Sequence, residues 1–422
     1  MASENPNRDG SKATVETLDP RTEVLTRGFD PSLSVGSARP AVFRSSTYVF
    51  SSPEAAEHAF DLMAGRAVVA PGEQADLVYS RFNHPNAQIL EEQMTPLEAG
   101  AKAALVFNSG MAAIMTALLT FLKPGDALAY TTPIYGGTEH LIEDFLAPWG
   151  VRGVAVPAGE TEALRERTEG VSRLGAILIE TPANPTLVMT DIRAAVGLAR
   201  RIEPRTVVMV DNTLMGPAFQ HPLKLGADLA LYSATKYLSG FSDMIGGAAL
   251  AADASLIAKM RPKRSLFGNI LQPDECWMLD HRLSTVGLRM TRASKNAGRI
   301  AAALEHHSKI ARVFYPALLP EGEQRRIYEA QCDYPGGMVS LELRGGKRAA
   351  FEFLRRLRLA RNAVSLGGVE TLACHPKSTT HSGFSEAQFA QAGVTDGLVR
   401  LSIGIEDWRD LLKDFEQALE AV

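Results

Sequence analysis

Thr206-Val-Val-Met-Val-Asp211 and, beyond a turn-rich connection, Leu229-Ala-Leu-Tyr-Ser-Ala-Thr-Lys236 are the stretches that decide the fold. Each is a short apolar run, rich in residues that favour strands, that stops abruptly at polar side chains. A strand that is apolar at every position, instead of at every second one, is covered on both faces. The same pattern recurs at residues 103–108, 127–131 and 176–180. Blocks of helical periodicity lie between these runs. One of them, 191–202, carries Arg200 and Arg201 in its last turn, where they suit the helix dipole. Strands alternating with helices predict an α/β fold with a large, mostly parallel sheet.

Ligands of such sheets bind beyond the carboxyl ends of the strands. Ser109, Glu180, Asp211 and Lys236 all fall at those ends and converge on one rim. The hydroxyls of Ser233 and Thr235 can hold a phosphate while Lys236 forms a Schiff base beside it, which is what pyridoxal 5'-phosphate requires of its protein. A lysine alone at a strand end is usually a solvated charge; these neighbours give it chemistry. Asp211 is suited to keep a pyridinium nitrogen protonated, since an opposite charge favours the protonated ring. Its bland alternative is a helix cap, because Asp-Asn-Thr often begins helices.

Further along the same rim, Asn108-Ser-Gly-Met-Ala-Ala113 reads as a strand-to-helix turn. Its glycine permits close approach, and its free N–H groups suit a phosphate. Tyr135-Gly-Gly-Thr138 places an aromatic ring after another strand end, as a stacking platform and proton donor. Tyr79-Ser-Arg81 offers an arginine, the natural bidentate phosphate ligand. Arg400, alternating with apolar residues in Val399-Arg-Leu-Ser-Ile403, must be paired or functional, and a substrate α-carboxylate is its obvious partner.

Size and composition narrow the classes. A chain of 422 residues is too long for one ordinary core. We expect an N-terminal arm and inter-subunit segment over 1–82, a cofactor-binding large domain over 83–286, and a smaller α+β domain over 287–422. The last carries helical stretches at 289–306 and 349–359 and strands at 337–343 and 398–403. A net charge of −4 gives no electrostatic argument for nucleic acid or an anionic membrane, and neither is expected as a partner. No apolar run approaches the ~20 residues of a membrane span. The first twenty residues look like a flexible polar arm, not a signal peptide, so a cytoplasmic protein is expected. Three dispersed cysteines and nine histidines show no metal-ligand spacing, so no metal is expected.

The chain resembles the Cys/Met-metabolism enzymes that depend on pyridoxal phosphate: cystathionine γ-synthase, cystathionine γ-lyase, methionine γ-lyase and the homoserine-ester sulfhydrylases. The likeness runs from about residue 20 to the C-terminus. Its blocks are Tyr79-Ser-Arg81, Ser109-Gly-Met111, Tyr135-Gly-Gly-Thr138, Glu180-Thr-Pro-Ala-Asn-Pro185, Asp211-Asn-Thr213, Ser233-Ala-Thr-Lys236, Ser365-Leu-Gly-Gly368 and Val399-Arg-Leu-Ser402. The resemblance implies an aspartate-aminotransferase-like fold (fold type I) and a homotetramer built from two active-site dimers. It implies that Tyr79 and Arg81 reach the phosphate of the neighbouring subunit's cofactor. Ser109, Gly110, Met111, Tyr135, Asp211, Thr213, Ser233 and Thr235 would hold the cofactor around Lys236. Asn184 would touch its phenolic oxygen, and Asn184, Ser365, Thr380 and Arg400 would bind the substrate amino acid. Lys236 would move the Cα proton, and Tyr135 would protonate the leaving thiolate.

Several positions depart from individual members. Val364 and Val78 stand where cystathionine-cleaving relatives carry acids, and His140 stands where they carry an arginine. Those losses favour an apolar thioether tail such as methionine's. Against methionine γ-lyase, Gly137 replaces a cysteine, and Arg264-Ser265 replaces Lys-Asp. Phe241 replaces a histidine usual in the family, and Asn86 a threonine. The expected reaction is γ-elimination from methionine or a related amino acid. Cystathionine γ-lyase, γ-replacement and, more distantly, an aminotransferase on the same fold are the alternatives.

Overall fold

The larger of two sheets contains β1 (Ala103–Phe107), β2 (Ala127–Thr132), β3 (Arg152–Pro157), β4 (Leu174–Glu180), β5 (Val207–Asp211), β6 (Leu229–Ser233) and β7 (Gly247–Ala251). Its order in the computed structural model is β1-β7-β6-β5-β4-β2-β3. The structure describes residues 18–25, 27–70, 75–171 and 173–422. The first part of the polar arm and part of the segment around 65–77 therefore lie outside the described residues. Pairing is parallel among β3, β2, β4, β5 and β6, whereas β7 runs antiparallel to both its neighbours, β6 and β1.

The apolar runs form strands because both of their faces are covered. Along β1, Leu105 and Phe107 pack with Ile114, Leu118, Ile257 and Met260 of the helices Gly110–Phe121 and Ala254–Phe267. Val106 points the other way, toward Leu90, Met94, Leu279 and Leu283. β4 is buried at every position. Its Ile177 and Ile179 meet Ile192, Ala195 and Leu198 of the helix Ile192–Ile202, and Leu178 joins the opposite core. That helix starts where the sequence predicts, with the Asp191 carboxylate accepting the Ala194 N–H at 2.9 Å.

The smaller sheet contains β8 (Ile310–Phe314), β9 (Met338–Leu343), β10 (Arg361–Asn362), β11 (Leu372–Cys374) and β12 (Leu398–Ser402), in the order β10-β11-β12-β9-β8. Helices Gly346–Arg356 and Trp408–Glu420 cover it through Phe353, Leu354, Leu411 and Phe415. The long helix Val286–Leu304 serves both cores. Val286 and Met290 belong to the larger one, and Ala297, Ile300 and Leu304 to the smaller. It begins three residues before the predicted stretch, and the helix expected at 349–359 likewise starts at Gly346.

Candidate active site

β4, β5 and β6 end side by side, and their last residues build the floor of the site. Glu180 lies opposite Asp211 in the β4–β5 register, and Asp211 lies opposite Leu231 of β6. One Asp211 oxygen, Oδ1, accepts from the Thr213 amide at 3.1 Å and from its hydroxyl at 2.6 Å. Oδ2 accepts nothing among the described residues. Burial raises the proton affinity of Asp211, and the two Thr213 bonds oppose the rise. A protonated ring nitrogen placed at the open oxygen would supply a counter-charge. Thr213 completes the connection to β6, because its hydroxyl also accepts the Ser233 N–H at 2.9 Å.

The turn between β1 and the helix that follows it is shaped by missing side chains. A Cβ on Gly110 would lie 2.9 Å from Ser233 Cβ, and one on Gly247 would lie 2.1 Å from the Ser109 carbonyl oxygen. Glycine at both places lets the start of helix Gly110–Phe121 press against Ser233. The Ser109 hydroxyl accepts the Ala112 N–H at 3.1 Å and so caps that helix. The free amides of Gly110 and Met111 remain, at the positive end of a twelve-residue helix. Thr235 uses its hydroxyl to accept the Gly246 N–H at 3.0 Å, which fixes the loop that carries the lysine.

Lys236 extends from this loop toward the smaller sheet, where its Nζ donates to Ser365 Oγ at 2.7 Å. Burial, and secondarily the Arg400 guanidinium, push its ammonium down to about 8. A sizeable neutral fraction at physiological pH is what a lysine needs to attack an aldehyde and to act as a base. Ser365 holds a backbone φ of +85°, costly for a residue with a Cβ. In that conformation its hydroxyl meets Lys236 while its carbonyl accepts from Arg400 Nη2 at 2.8 Å.

Arg400, on β12, is 3% exposed. Its Nη1 donates to Asn184 Oδ1 at 3.2 Å, and its Nε is buried with no acceptor. Both of its partners are neutral, so among the described residues a buried guanidinium stands without a counter-ion. Sequence reasoning missed one member of this group. His381 meets the Asn184 carbonyl through Nε2 at 3.3 Å, and Nδ1 lies 2.8 Å from the Thr380 hydroxyl. Burial and Arg400 hold it down to about 4, so it is neutral and Thr380 reaches the network through it. Nothing in its sequence neighbourhood marks it; only the fold brings it to Asn184.

Tyr135 is half exposed, and its amide donates to Glu180 Oε2 at 2.8 Å. A Cβ on Gly137 would lie 2.8 Å from the Tyr135 ring and 3.2 Å from the Met111 sulfur, so the ring rests where a cysteine would begin. Tyr79 and Arg81 do not join this cluster within one chain. Arg81 Nη1 donates to the Ser265 carbonyl at 2.9 Å, and its guanidinium lies over Phe82, 4.8 Å from the ring centre. The adjacent Arg264 is a core residue: it pairs with Glu91 at 3.0 Å and donates to the carbonyls of Val106 and Phe82. It is closed to a substrate tail. Phe241 sits between the guanidiniums of Arg282 and Arg289, at 4.9 and 5.6 Å, where a protonatable histidine would be repelled.

An open cleft of about 850 Å³ adjoins Thr235 and Ser365; Val364, Met244, Ile245 and Leu372 supply apolar wall. Val78 lines a different cavity, with Ala59 and Leu62. His140 pairs with Asp144 at 2.9 Å on its own exposed helix.

The layered sheet and its rim, with a half-buried lysine, an open carboxylate and glycines that draw a helix start against β6, define a pyridoxal-phosphate enzyme of aspartate-aminotransferase type. The chain belongs to the Cys/Met metabolism PLP-dependent enzyme family, whose pattern matches residues 21–420. It is 37% identical to L-methionine gamma-lyase of Pseudomonas putida over 95% of this chain and 97% of that protein. It is also 37% identical to cystathionine gamma-lyase of Bacillus subtilis, covering 83% and 90% of the two chains. Cystathionine gamma synthase of Xanthomonas oryzae pv. oryzae, solved in complex with cystathionine, superposes with a TM-score of 0.86 at 32% identity, over 96% and 99% of the chains. The residues present fit the cofactor: the cradle that a Cβ would fill, the open Asp211 oxygen and the depressed lysine each match one part of it.

Proposed function

We propose that the protein carries out γ-elimination on a sulfur amino acid with an apolar tail, of the L-methionine type. The products are a thiol, 2-oxobutanoate and ammonia, with one water consumed. The observation that carries the reading is Arg400, a buried cation without a counter-ion among the described residues, whose free Nε lies in the network that also holds Lys236. An α-carboxylate supplies the missing charge and acceptor.

Pyridoxal phosphate, bound through Lys236, supplies an electron sink for charge released at Cα and Cβ. The phosphate is assigned to the Gly110 and Met111 amides with Ser109, Ser233 and Thr235, the ring nitrogen to Asp211 backed by Thr213, and the phenolic oxygen to Asn184. Arg400, Asn184, Ser365 and Thr380 hold the amino acid. The Lys236 amine takes the Cα proton, since its depressed basicity leaves it free to accept one. The Tyr135 hydroxyl gives a proton to the departing thiolate. Tyr79 and Arg81, turned away from the site of their own chain, are assigned to the cofactor phosphate of a neighbouring subunit in a homotetramer. The cofactor domain is taken as residues 83–286, the arm as 1–82 and the smaller domain as 287–422, in a cytoplasmic protein.

Val364, 53% exposed on the wall of the large cleft, favours a thioether over a charged tail. A second reading, cystathionine cleavage or a γ-replacement, has one observation on its side: Arg361, Glu275 and Glu370 line the same cleft and could pair with a zwitterionic tail. Purified enzyme should be offered L-methionine, L-cystathionine and O-acetyl- or O-succinyl-L-homoserine, with and without L-cysteine or sulfide. Release of 2-oxobutanoate fastest from methionine supports the first reading. Faster turnover of cystathionine, or new thioether from the esters, replaces it with the second.

A further inference from the structure

We propose that Glu180 is a positioning residue, whose buried carboxylate grips the backbone amides of Tyr135 and Asn184 together and so sets both side chains against the cofactor. Glu180 is the last residue of β4 and is 3% exposed. Oε2 accepts the Tyr135 N–H at 2.8 Å, and Oε1 accepts the Asn184 N–H at 3.4 Å. Its own amide donates to Thr131 Oγ1 at 2.9 Å, which ties the strand end to β2. The segments it joins are separate in the chain: one follows β2 and carries the aromatic ring, the other follows β4 and carries the amide.

The effect reaches further through Asn184, whose Oδ1 accepts from Arg400 and whose carbonyl meets His381. One carboxylate thus stands behind the residue assigned to the leaving group and the residues assigned to the substrate carboxylate. A purely packing role does not account for it. No cation pairs with Glu180 among the described residues, and a buried carboxylate without one is costly compared with an apolar side chain. Burial, and then the neighbouring Asp211 carboxylate, raise its proton affinity, and the N–H groups of Tyr135 and Asn184 oppose that rise. Glutamine in its place keeps the volume but turns an amide N–H toward one of the two backbone donors, so one grip must open.

The inference rests on the cofactor-site assignments above. The test compares holoenzymes of the wild type and Glu180→Gln. Visible circular dichroism of the bound cofactor reports how the ring sits among its neighbours, and a dissociation constant for pyridoxal phosphate reports the hold on it. We expect the variant to melt near the wild-type temperature and to bind the cofactor roughly tenfold more weakly, with a changed visible dichroic band. Its kcat should fall on the order of 10²-fold, with KM changing less, because two aligned groups drift together. Wild-type dichroism, cofactor affinity and kcat in E180Q would overturn the proposal. If E180Q does not fold, Glu180→Asp serves instead. Its shorter carboxylate keeps the charge but cannot span both amides, so wild-type behaviour of that variant overturns the proposal equally. A cofactor band and affinity unchanged from wild type in Asp211→Asn or Lys236→Ala would instead undo the site assignments themselves.

Discussion

Replacing Arg400 with methionine separates a substrate-binding arginine from a structural one, because the two roles predict opposite balances of activity and stability. If Nε and one Nη grip the substrate carboxylate, the variant loses two charged hydrogen bonds at ~1.5–3 kcal/mol each, so kcat/KM falls by roughly 10²–10⁴-fold. Stability follows other terms. A buried guanidinium that donates, among the described residues, only to Asn184 Oδ1 and the Ser365 carbonyl has given up its hydration without gaining a counter-ion there. Its removal recovers several kcal/mol at an order-of-magnitude level. Against that, two acceptors lose their donor, at ~1–3 kcal/mol each. These terms nearly cancel, so R400M should melt within a few degrees of the wild type. The assay is kcat/KM on the preferred amino acid beside calorimetry of the apo-protein. Activity within threefold of wild type, or a collapse in melting temperature, refutes the reasoning, since either outcome means that Arg400 already has its partner inside the protein.

Three further outcomes follow from the geometry of the rim. Lys236 should combine with pyridoxal phosphate at a rate that climbs with pH and levels off above about 8, as the ammonium is lost. Since the folded protein holds this group below its ordinary 10.5, the apo-protein binds fewer protons there than the unfolded chain does. The stability gap between Lys236→Met and wild type should therefore narrow as pH rises from about 8 toward 10.5, read from melting curves of both. Gly110→Ala places a Cβ 2.9 Å from Ser233 Cβ, against backbone 3.0 Å away. Overpacking of ~1–3 kcal/mol at the cradle should weaken cofactor binding by roughly 5- to 100-fold, measured by titration of the visible band; unchanged affinity would mean that the helix start is not the phosphate site.

The larger sheet was legible wherever burial on both faces forces continuous apolar runs: β1, β2, β4, β5 and β6 lie within two residues of their predicted bounds. β3 escaped notice because it is an edge strand with an exposed Arg152-Gly153 start. β7, Gly-Ala-Ala-Leu-Ala, carries small residues that favour no strand, and its direction could not be read at all. The structural reason for its composition is the approach of Ser109 to Gly247, a contact between distant parts of the chain. At the site, Lys236, Asp211 and Arg400 were visible because a charge at the end of, or inside, an apolar run is conspicuous. His381 was not, lying in a polar loop where a histidine attracts no attention. The role proposed for Tyr79 and Arg81 requires a second subunit; within one chain Arg81 donates to the Ser265 carbonyl instead.

The reversed direction of β7 also fixes where Lys236 sits. A parallel neighbour would require a long crossover after β6; here the chain returns along the rim from Ser233 to Gly247 and re-enters the sheet beside the strand it left. Arg289 grips the middle of that return through the carbonyls of Tyr237 and Leu238. Lys236 therefore rides on a short bridge moored at both banks and stayed at mid-span. Lengthening the bridge by a single residue would shift the amine away from its place against Ser365.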